Sequence, residues 1–140
     1  QNKTRYVISE LPAALKKKFK LGKPKGVSMV SWSPCSTYLC TRNDELPNVL
    51  WIWETPKLRL CTIITQLEPI RHVEWDPVNP RLAICTNNCR IYLWSKDGCS
   101  CVDVPSVNFN VSKLHWNPNG ENMVLMDAKS FCCCYLHPDT

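Results

Sequence analysis

The feature that most constrains this fold is a sequence pattern that occurs three times. VSWSPCSTYLC begins at position 30, VEWDPVNPRLAIC at 73 and LHWNPNGENMVLM at 114, which puts their tryptophans at 32, 75 and 116. A second aromatic residue follows each tryptophan after 19 to 21 positions, and these residues are Trp53, Trp94 and Tyr135. A period of about 42 residues is typical of four-stranded β-propeller blades. The repeat therefore predicts an all-β fold.

Each repeat divides into short apolar strands separated by turn-forming residues. The turns Ser-Pro-Cys-Ser, Asp-Pro-Val-Asn and Asn-Pro-Asn-Gly follow the three tryptophans, and proline with Asp, Asn or Ser favours tight turns. The strand pattern predicts two four-stranded antiparallel blades, three quarters of a third and one orphan strand. Propellers generally need four to eight blades, so we expect a segment of a larger propeller whose exposed strand edges favour self-association. The expected units are an outer strand of a preceding blade at 1–11, a lysine-rich connector at 12–26, blades at 27–66 and 67–106, and an incomplete blade at 107–140.

Composition narrows the protein class. Hydrophobic residues make up 44% of the chain and charged residues 21%, which is typical of a globular protein. The ten cysteines lack the two paired clusters of a structural zinc site, so we expect reduced, structural thiols and an intracellular protein without cofactor or metal. A zinc or redox protein is the alternative that these cysteines leave open.

Two charged segments are candidates for binding a partner. The first is a lysine cluster within ten residues, consisting of Lys16, Lys17, Lys18, Lys20, Lys23 and Lys25. Such a cluster is typical of a solvated connector without a partner, and it also favours attraction to an acidic protein surface such as tubulin. A basic module that binds nucleic acid is the alternative function, although Phe19 is the only aromatic among the lysines and single-strand binding needs several. The second is the longer turn at 42–48, which we expect to protrude, either to present Arg42, Asp44 and Glu45 to a partner or as an ordinary solvated hairpin.

The six aromatic residues that mark the repeats predict packing between neighbouring blades, because large rings at regular strand positions bury much apolar area. These residues are Trp32, Trp53, Trp75, Trp94, Trp116 and Tyr135. Nucleophile motifs, phosphate loops and paired catalytic carboxylates do not stand out in the sequence. We therefore expect no catalytic residues and a protein that is not an enzyme.

Tandem units of this length that close with x-Leu/Ile-x-Trp resemble the WD-repeat β-propeller family. The closing Trp-Asp of that family appears here as Trp-Glu at 53–54, Trp-Ser at 94–95 and Tyr-Leu at 135–136. A closer resemblance covers 27–136. Its segments at 41–54, 57–60 and 69–98 resemble the carboxy-terminal repeats of the centrosomal and spindle-pole WD-repeat family that includes the protein encoded antisense to the p73 tumour-suppressor gene.

The resemblance implies a non-enzymatic scaffold or adaptor in the cytoplasm, on the cytoskeleton at the centrosome or spindle pole body. The partner that it implies is a coiled-coil anchoring protein, together with microtubules and, in yeasts, a minus-end-directed kinesin. The implied roles are the tethering of microtubule minus ends, assembly of the mitotic spindle and functions at the cilium or centriole. No membrane partner is expected.

Overall fold

The threefold sequence repeat folds into three antiparallel β-sheets. The structure is a computed structural model and describes residues 25–137. The first sheet contains β1 Val27–Trp32, β2 Tyr38–Asn43, β3 Val49–Glu54 and β4 Arg59–Thr65. The second contains β5 His72–Trp75, β6 Arg81–Cys85, β7 Arg90–Ser95 and β8 Gly98–Asp103. The third contains β9 Lys113–Trp116, β10 Asn122–Met126 and β11 Phe131–Tyr135.

This architecture confirms the predicted fold class. Two sheets have four strands and one has three, and each sheet runs in sequence order with every neighbouring pair antiparallel. The predicted outer strand at 1–11 and the connector as far as residue 24 lie outside the described residues. Within 25–137 there is no helix, and hence none that could cross a bilayer.

The start of β9 differs from the prediction. The apolar pattern predicts a strand from Val111, but β9 begins two residues later. Val111 instead forms an antiparallel bridge to Asn88 in the hairpin of the second sheet, where its amide donates to the Asn88 carbonyl at 2.8 Å. The segment before β9 is therefore fixed to the preceding sheet.

The three predicted turns share one backbone hydrogen bond, in which the residue after the repeat tryptophan donates to the carbonyl five positions later. Ser33 donates to Tyr38, Asp76 to Arg81 and Asn117 to Asn122, each at 2.9 Å. The Asp76 carboxylate accepts hydrogen bonds from the amides of Val78 at 2.8 Å and Asn79 at 3.1 Å. In the third repeat the Gly120 amide donates to the Asn117 carbonyl at 2.8 Å, and Gly120 has a φ of 72°. Such local bonds satisfy backbone groups where the chain leaves a strand.

The core consists of two apolar clusters, one on each side of the second sheet. The first cluster lies between the first and second sheets, and the second lies between the second and third. The central strand β6 is buried on both faces, with Leu82 and Ile84 in one cluster and Ala83 and Cys85 in the other. This explains its continuous apolar sequence, which is typical of a strand covered on both sides.

The outer faces of the first and third sheets have no neighbouring sheet among the described residues. On the first sheet Val27, Val30 and Trp32 are exposed, and on the third sheet Phe131 and Tyr135 are exposed. We call these two surfaces the first open face and the last open face.

Candidate interaction surfaces

Neighbouring sheets are joined by a hydrogen bond that recurs at the same repeat position. The indole nitrogen of Trp75 donates to the carbonyl of Ser31 at 3.1 Å, and that of Trp116 donates to the carbonyl of Glu74 at 3.0 Å. Each acceptor is the residue immediately before the repeat tryptophan of the preceding sheet. The repeat tryptophan therefore links its own sheet to the one before it.

Three of the six marker aromatics lie between sheets. Trp75 and Trp94 meet edge to face with ring centroids 6.0 Å apart, and Tyr38 of the first sheet contacts both of them. Trp116 is buried in the second cluster. Such ring geometries suit the quadrupoles of the aromatic systems and stabilise the interface between the first two sheets.

The other three marker aromatics lie at the surface. Trp32 is 56% exposed and Tyr135 is 66% exposed, and both lie on open faces. Trp53 is 36% exposed, and its indole nitrogen donates to the Thr41 hydroxyl of its own sheet at 3.0 Å. Packing of these three residues against another blade stays a prediction.

Glu74 joins the second sheet to the third. Its carboxylate lies 3.0 Å from His115 Nδ1 and accepts a hydrogen bond from the Trp116 amide at 3.1 Å, while its backbone carbonyl accepts one from the Trp116 indole. All three oxygen atoms of Glu74 thus contact β9. The sequence pattern did not single out Glu74, because its partners lie about one repeat further along the chain.

The turn after Trp75 makes a second connection to the third sheet. Arg81 pairs with the buried Asp76 carboxylate, donates to the Gly120 carbonyl at 2.9 Å and places its guanidinium 4.9 Å from the centre of the Trp116 ring. Asp76 and Arg81 are five residues apart across one turn, so their ion pair could have been predicted from the sequence. The contacts with Gly120 and Trp116 were not visible in the sequence.

The expectation that the turn at 42–48 protrudes is wrong. Arg42 donates to the Ile70 carbonyl at 2.6 Å and to the Asp44 carboxylate at 3.1 Å, while Leu46 is buried. Glu45 accepts a hydrogen bond from the backbone amide of Lys25 at 3.2 Å. The turn folds back because Arg42 and Pro47 both bind the backbone of Ile70, at the start of the second repeat. A partner-binding role of Arg42, Asp44 and Glu45 stays a prediction.

Of the lysine cluster, only Lys25 falls within the described residues. The five others, Lys16, Lys17, Lys18, Lys20 and Lys23, lie outside them.

The Ser28 hydroxyl donates to Asp44 at 2.6 Å, and this bond together with Arg42 holds the pKa of the Asp44 carboxyl below its usual range. Asp44 therefore carries its charge at neutral pH.

A polar groove lies between the innermost strands β5 and β9. It has a volume of about 390 Å³ and is lined by residues that include His72, Glu74, Lys113 and His115. Burial lowers the pKa of His72 despite the nearby Glu74 carboxylate, so His72 is neutral at pH 7. Among residues 25–137 no three side chains are grouped as ligands for a metal ion.

The ten cysteines are free thiols in two kinds of environment. Burial raises the pKa of Cys40 and of Cys85 to about 12, which keeps both thiols protonated. Cys35 is exposed in the first turn, and hydrogen bonds with Ser33 and Thr37 lower its pKa. The buried thiols act as small apolar side chains of the core.

Comparison with known proteins gives two similar sequences. The chain is 43% identical over 112 residues to the mouse WD repeat-containing protein WRAP73, an alignment that covers 79% of this chain and 24% of the mouse protein. It is 29% identical over 102 residues to an uncharacterized WD repeat-containing protein of Schizosaccharomyces pombe, covering 64% of this chain and 21% of the yeast protein. The chain thus spans less than a quarter of the length of these relatives. No protein-family profile matches it.

Comparison with solved structures confirms the fold. A chain in the crystal structure of the mitotic checkpoint complex, a WD40 propeller, matches with a TM-score of 0.61 and 18% identity. The match covers 85% of this chain and 40% of that one. The similarity to WD-repeat proteins supports a scaffold role, which acts through protein–protein interaction. From the repeats, the stacked sheets and these similarities together, we conclude that the chain belongs to the WD-repeat family of β-propeller proteins.

Proposed function

We propose that this protein is a non-enzymatic scaffold of the centrosome or spindle pole body, where it binds a coiled-coil anchoring protein and helps to tether microtubule minus ends. The observation that carries this proposal is the 43% identity to WRAP73 over 79% of the chain. The segments that resemble the centrosomal family lie within this aligned length of repeat sequence. Cytoplasmic localisation on the cytoskeleton and a role in spindle assembly and at the cilium belong to the same proposal.

The surface chemistry of the described residues suits a protein partner. The first open face carries Val27, Val30 and Trp32 side by side on one strand, and each side chain is more than half exposed. Exposed tryptophan surrounded by aliphatic side chains is typical of the centre of a protein interface. Such a surface is complementary to a neighbouring blade, as the repeat pattern predicts, and to the apolar face of an amphipathic helix.

A binding experiment can test the proposed role directly. The 140-residue chain, fused to a fluorescent protein, is expected to concentrate at spindle poles and to retain the coiled-coil segment of a centrosomal anchoring protein in a pull-down. Trp32→Ser is expected to weaken this binding by about tenfold or more, since central interface tryptophans dominate binding energy. Leu67→Ser is the matched control, because Leu67 is also exposed but lies outside the first open face.

A diffuse cellular distribution together with no retention of the anchoring segment would contradict the proposal. Microtubule binding is measured separately by co-sedimentation with purified microtubules. Replacement of Lys16, Lys17, Lys18, Lys20, Lys23 and Lys25 by glutamine is expected to reduce co-sedimentation at low salt, because the attraction to acidic tubulin surfaces is electrostatic. Unchanged co-sedimentation would remove the lysine cluster from the tethering role. Binding of the minus-end-directed kinesin can be measured by the same pull-down.

A further inference from the structure

The turn between β3 and β4 presents an aliphatic side chain in a backbone conformation that disfavours it. Leu58, the last residue before β4, has a φ of 48° and is 92% exposed. The other non-glycine residues described with a positive φ are Ser36 and Asn87, which are small and polar. The left-handed region is unfavourable for a bulky side chain, and water is unfavourable for an apolar one. Among the described residues, therefore, nothing compensates for leucine at this position.

The exposure of this turn is expected to persist when a further blade packs on the first open face. The equivalent turn of the second sheet lies between β7 and β8 and contains Lys96 and Asp97. Both residues are exposed, although the second sheet has a neighbouring sheet on each side. A sheet that is covered on both faces thus leaves this turn open to solvent. The same turn of the first sheet is therefore a surface of the assembled stack.

Hydrogen bonds fix the position of the turn. The Leu58 amide donates to the Thr55 carbonyl at 3.1 Å. Thr55 is in turn bound to the hairpin of β1 and β2, where its hydroxyl donates to the Ser36 carbonyl at 2.8 Å and its amide donates to the Thr37 carbonyl at 2.9 Å. A preorganised turn loses little conformational entropy when a partner covers it.

Two cationic side chains flank Leu58 and determine the charge around it. Lys57 Nζ lies 3.1 Å from the Glu54 carboxylate, and the Arg59 guanidinium lies 2.7 Å from it. The side chains of Lys57 and Arg59 are each 60% exposed, whereas that of Glu54 is 14% exposed. The surface beside the leucine therefore presents positive charge, with the carboxylate covered beneath it. Charge complementarity favours an acidic partner.

We propose that the turn at 55–59 binds an acidic segment of a partner protein, which encloses the Leu58 side chain in an apolar pocket and places carboxylates beside Lys57 and Arg59. Burial by the partner offsets the cost of exposing the leucine. Nucleic acid is also anionic, but the phosphates that dominate its attraction to cations offer no apolar pocket. An anionic membrane is disfavoured because a whole myristoyl chain anchors only marginally, and one leucine side chain buries much less.

Peptide display on the 140-residue chain tests this site without assuming the sequence of the partner. The selected peptides are expected to be rich in Asp and Glu around at least one apolar residue. Leu58→Asn is expected to raise their Kd by about tenfold or more, because a buried leucine side chain is lost from the contact. The same substitution is not expected to lower the Tm, because asparagine tolerates a positive φ.

Leu67→Asn is the matched control. Leu67 is 99% exposed, but its neighbours are Gln66 and Glu68 instead of two cations. This variant is expected to bind the selected peptides as the unaltered chain does. Lys57→Gln is expected to weaken binding most at low salt, since salt screens the attraction between exposed charges.

The result that supports the proposal is a set of acidic peptides that lose affinity on Leu58→Asn and keep it on Leu67→Asn. Selection of neutral or basic peptides only, or equal affinities of both variants, would overturn it. A lower Tm in Leu58→Asn would show that the leucine packs within the protein, and would overturn it as well. Vesicles of phosphatidylserine and a single-stranded oligonucleotide are measured in parallel. Binding of either one that depends on Leu58, without binding of acidic peptides, would assign the turn to that ligand instead.

Discussion

At the residue scale, Gly120 is the position where backbone conformation and packing restrict the sequence together. It has a φ of 72°, and a Cβ atom added there would lie 2.7 Å from the Asp76 carboxylate and 3.1 Å from Val78. Gly26 has a similar φ of 79°, but a Cβ atom there would meet no other described residue within 4 Å. Substitutions at the two glycines therefore distinguish the cost of backbone strain from the cost of a steric clash between sheets.

We predict that Gly120→Ala lowers the free energy of unfolding by more than Gly26→Ala does. Both substitutions place alanine in the left-handed region, which costs on the order of 1 kcal/mol or more. Only Gly120→Ala must also displace the turn at Asp76, which binds Arg81. Urea unfolding of the two variants measures the difference, and equal losses would show that the contact between the turns contributes little.

The buried thiols predict a loss of stability at alkaline pH. Unfolded thiols ionise near their ordinary pKa of 9.0, whereas burial raises the pKa of Cys40 and of Cys85 to about 12 in the folded state. Above pH 9 the unfolded chain releases protons that the folded chain retains. Their contribution to stability is therefore complete below pH 9 and is lost progressively up to about pH 12, by at most about 1.4 kcal/mol per pH unit for each thiol.

Urea unfolding at pH 8 and pH 10 measures this effect. Cys40→Ala is expected to lower the free energy of unfolding at both pH values because it leaves a cavity. The same substitution removes one buried thiol, so the loss of stability between pH 8 and pH 10 is expected to be smaller than in the unaltered chain, and the size of this loss is the decrease that is compared. Cys35→Ala is the control for a thiol that is exposed rather than buried, and is not expected to reduce that decrease. An unchanged pH dependence in Cys40→Ala would refute the assignment.

At the element scale, the repeat tryptophans show what sequence can and cannot predict. The segments around Trp32 and Trp75 are alike, and both tryptophans end the first strand of a sheet as predicted. One is exposed and the other is buried because, among residues 25–137, only Trp75 has a neighbouring sheet on the side from which it donates to Ser31. Local pattern determines the strand, whereas burial depends on the neighbouring element.

This contrast gives a matched pair of substitutions. Trp75→Phe keeps an aromatic ring but removes the donor to the Ser31 carbonyl, and is expected to lower the free energy of unfolding by about 1–3 kcal/mol, since one hydrogen bond and part of the buried ring surface between the sheets are lost. Trp32→Phe is expected to change it by less than about 0.5 kcal/mol, as for ordinary surface substitutions. Equal effects in thermal unfolding would show that the recurring indole bond is not a major link between sheets.

At the scale of the whole molecule, the second sheet is the shared support of both apolar clusters. Arg42 links it to the first sheet through the Ile70 carbonyl, and Glu74 links it to the third through His115 and Trp116. The two connections use different residues. They can therefore be weakened one at a time.

We predict that Glu74→Ala accelerates hydrogen exchange mainly in β9 to β11, whereas Arg42→Ala accelerates it mainly in β1 to β4. Local opening follows the contacts that are lost, so each substitution exposes the sheet that it releases. Exchange followed by mass spectrometry distinguishes the two patterns. Uniform acceleration across all three sheets in both variants would show that the stack opens as a single unit.

The period of the repeat and its turn residues were sufficient to predict the sheets and nearly all strand positions. The links between sheets could not be predicted in the same way. Arg42 binds Ile70, which is 28 residues away, and Arg81 binds Gly120, which is 39 residues away. Nothing in the spacing of these residues identifies their partners, because the pairing arises only when the sheets stack.

The recurring indole bond also gives the stack a direction. In both described interfaces the donor belongs to the later sheet and the acceptor to the earlier one, so the two sides of a unit are chemically different. A repeat transplanted in its original orientation can form this bond with its new neighbours. A repeat inserted in the reverse orientation would place indole donors opposite donors and carbonyl acceptors opposite acceptors, so the bond could not form with either neighbour.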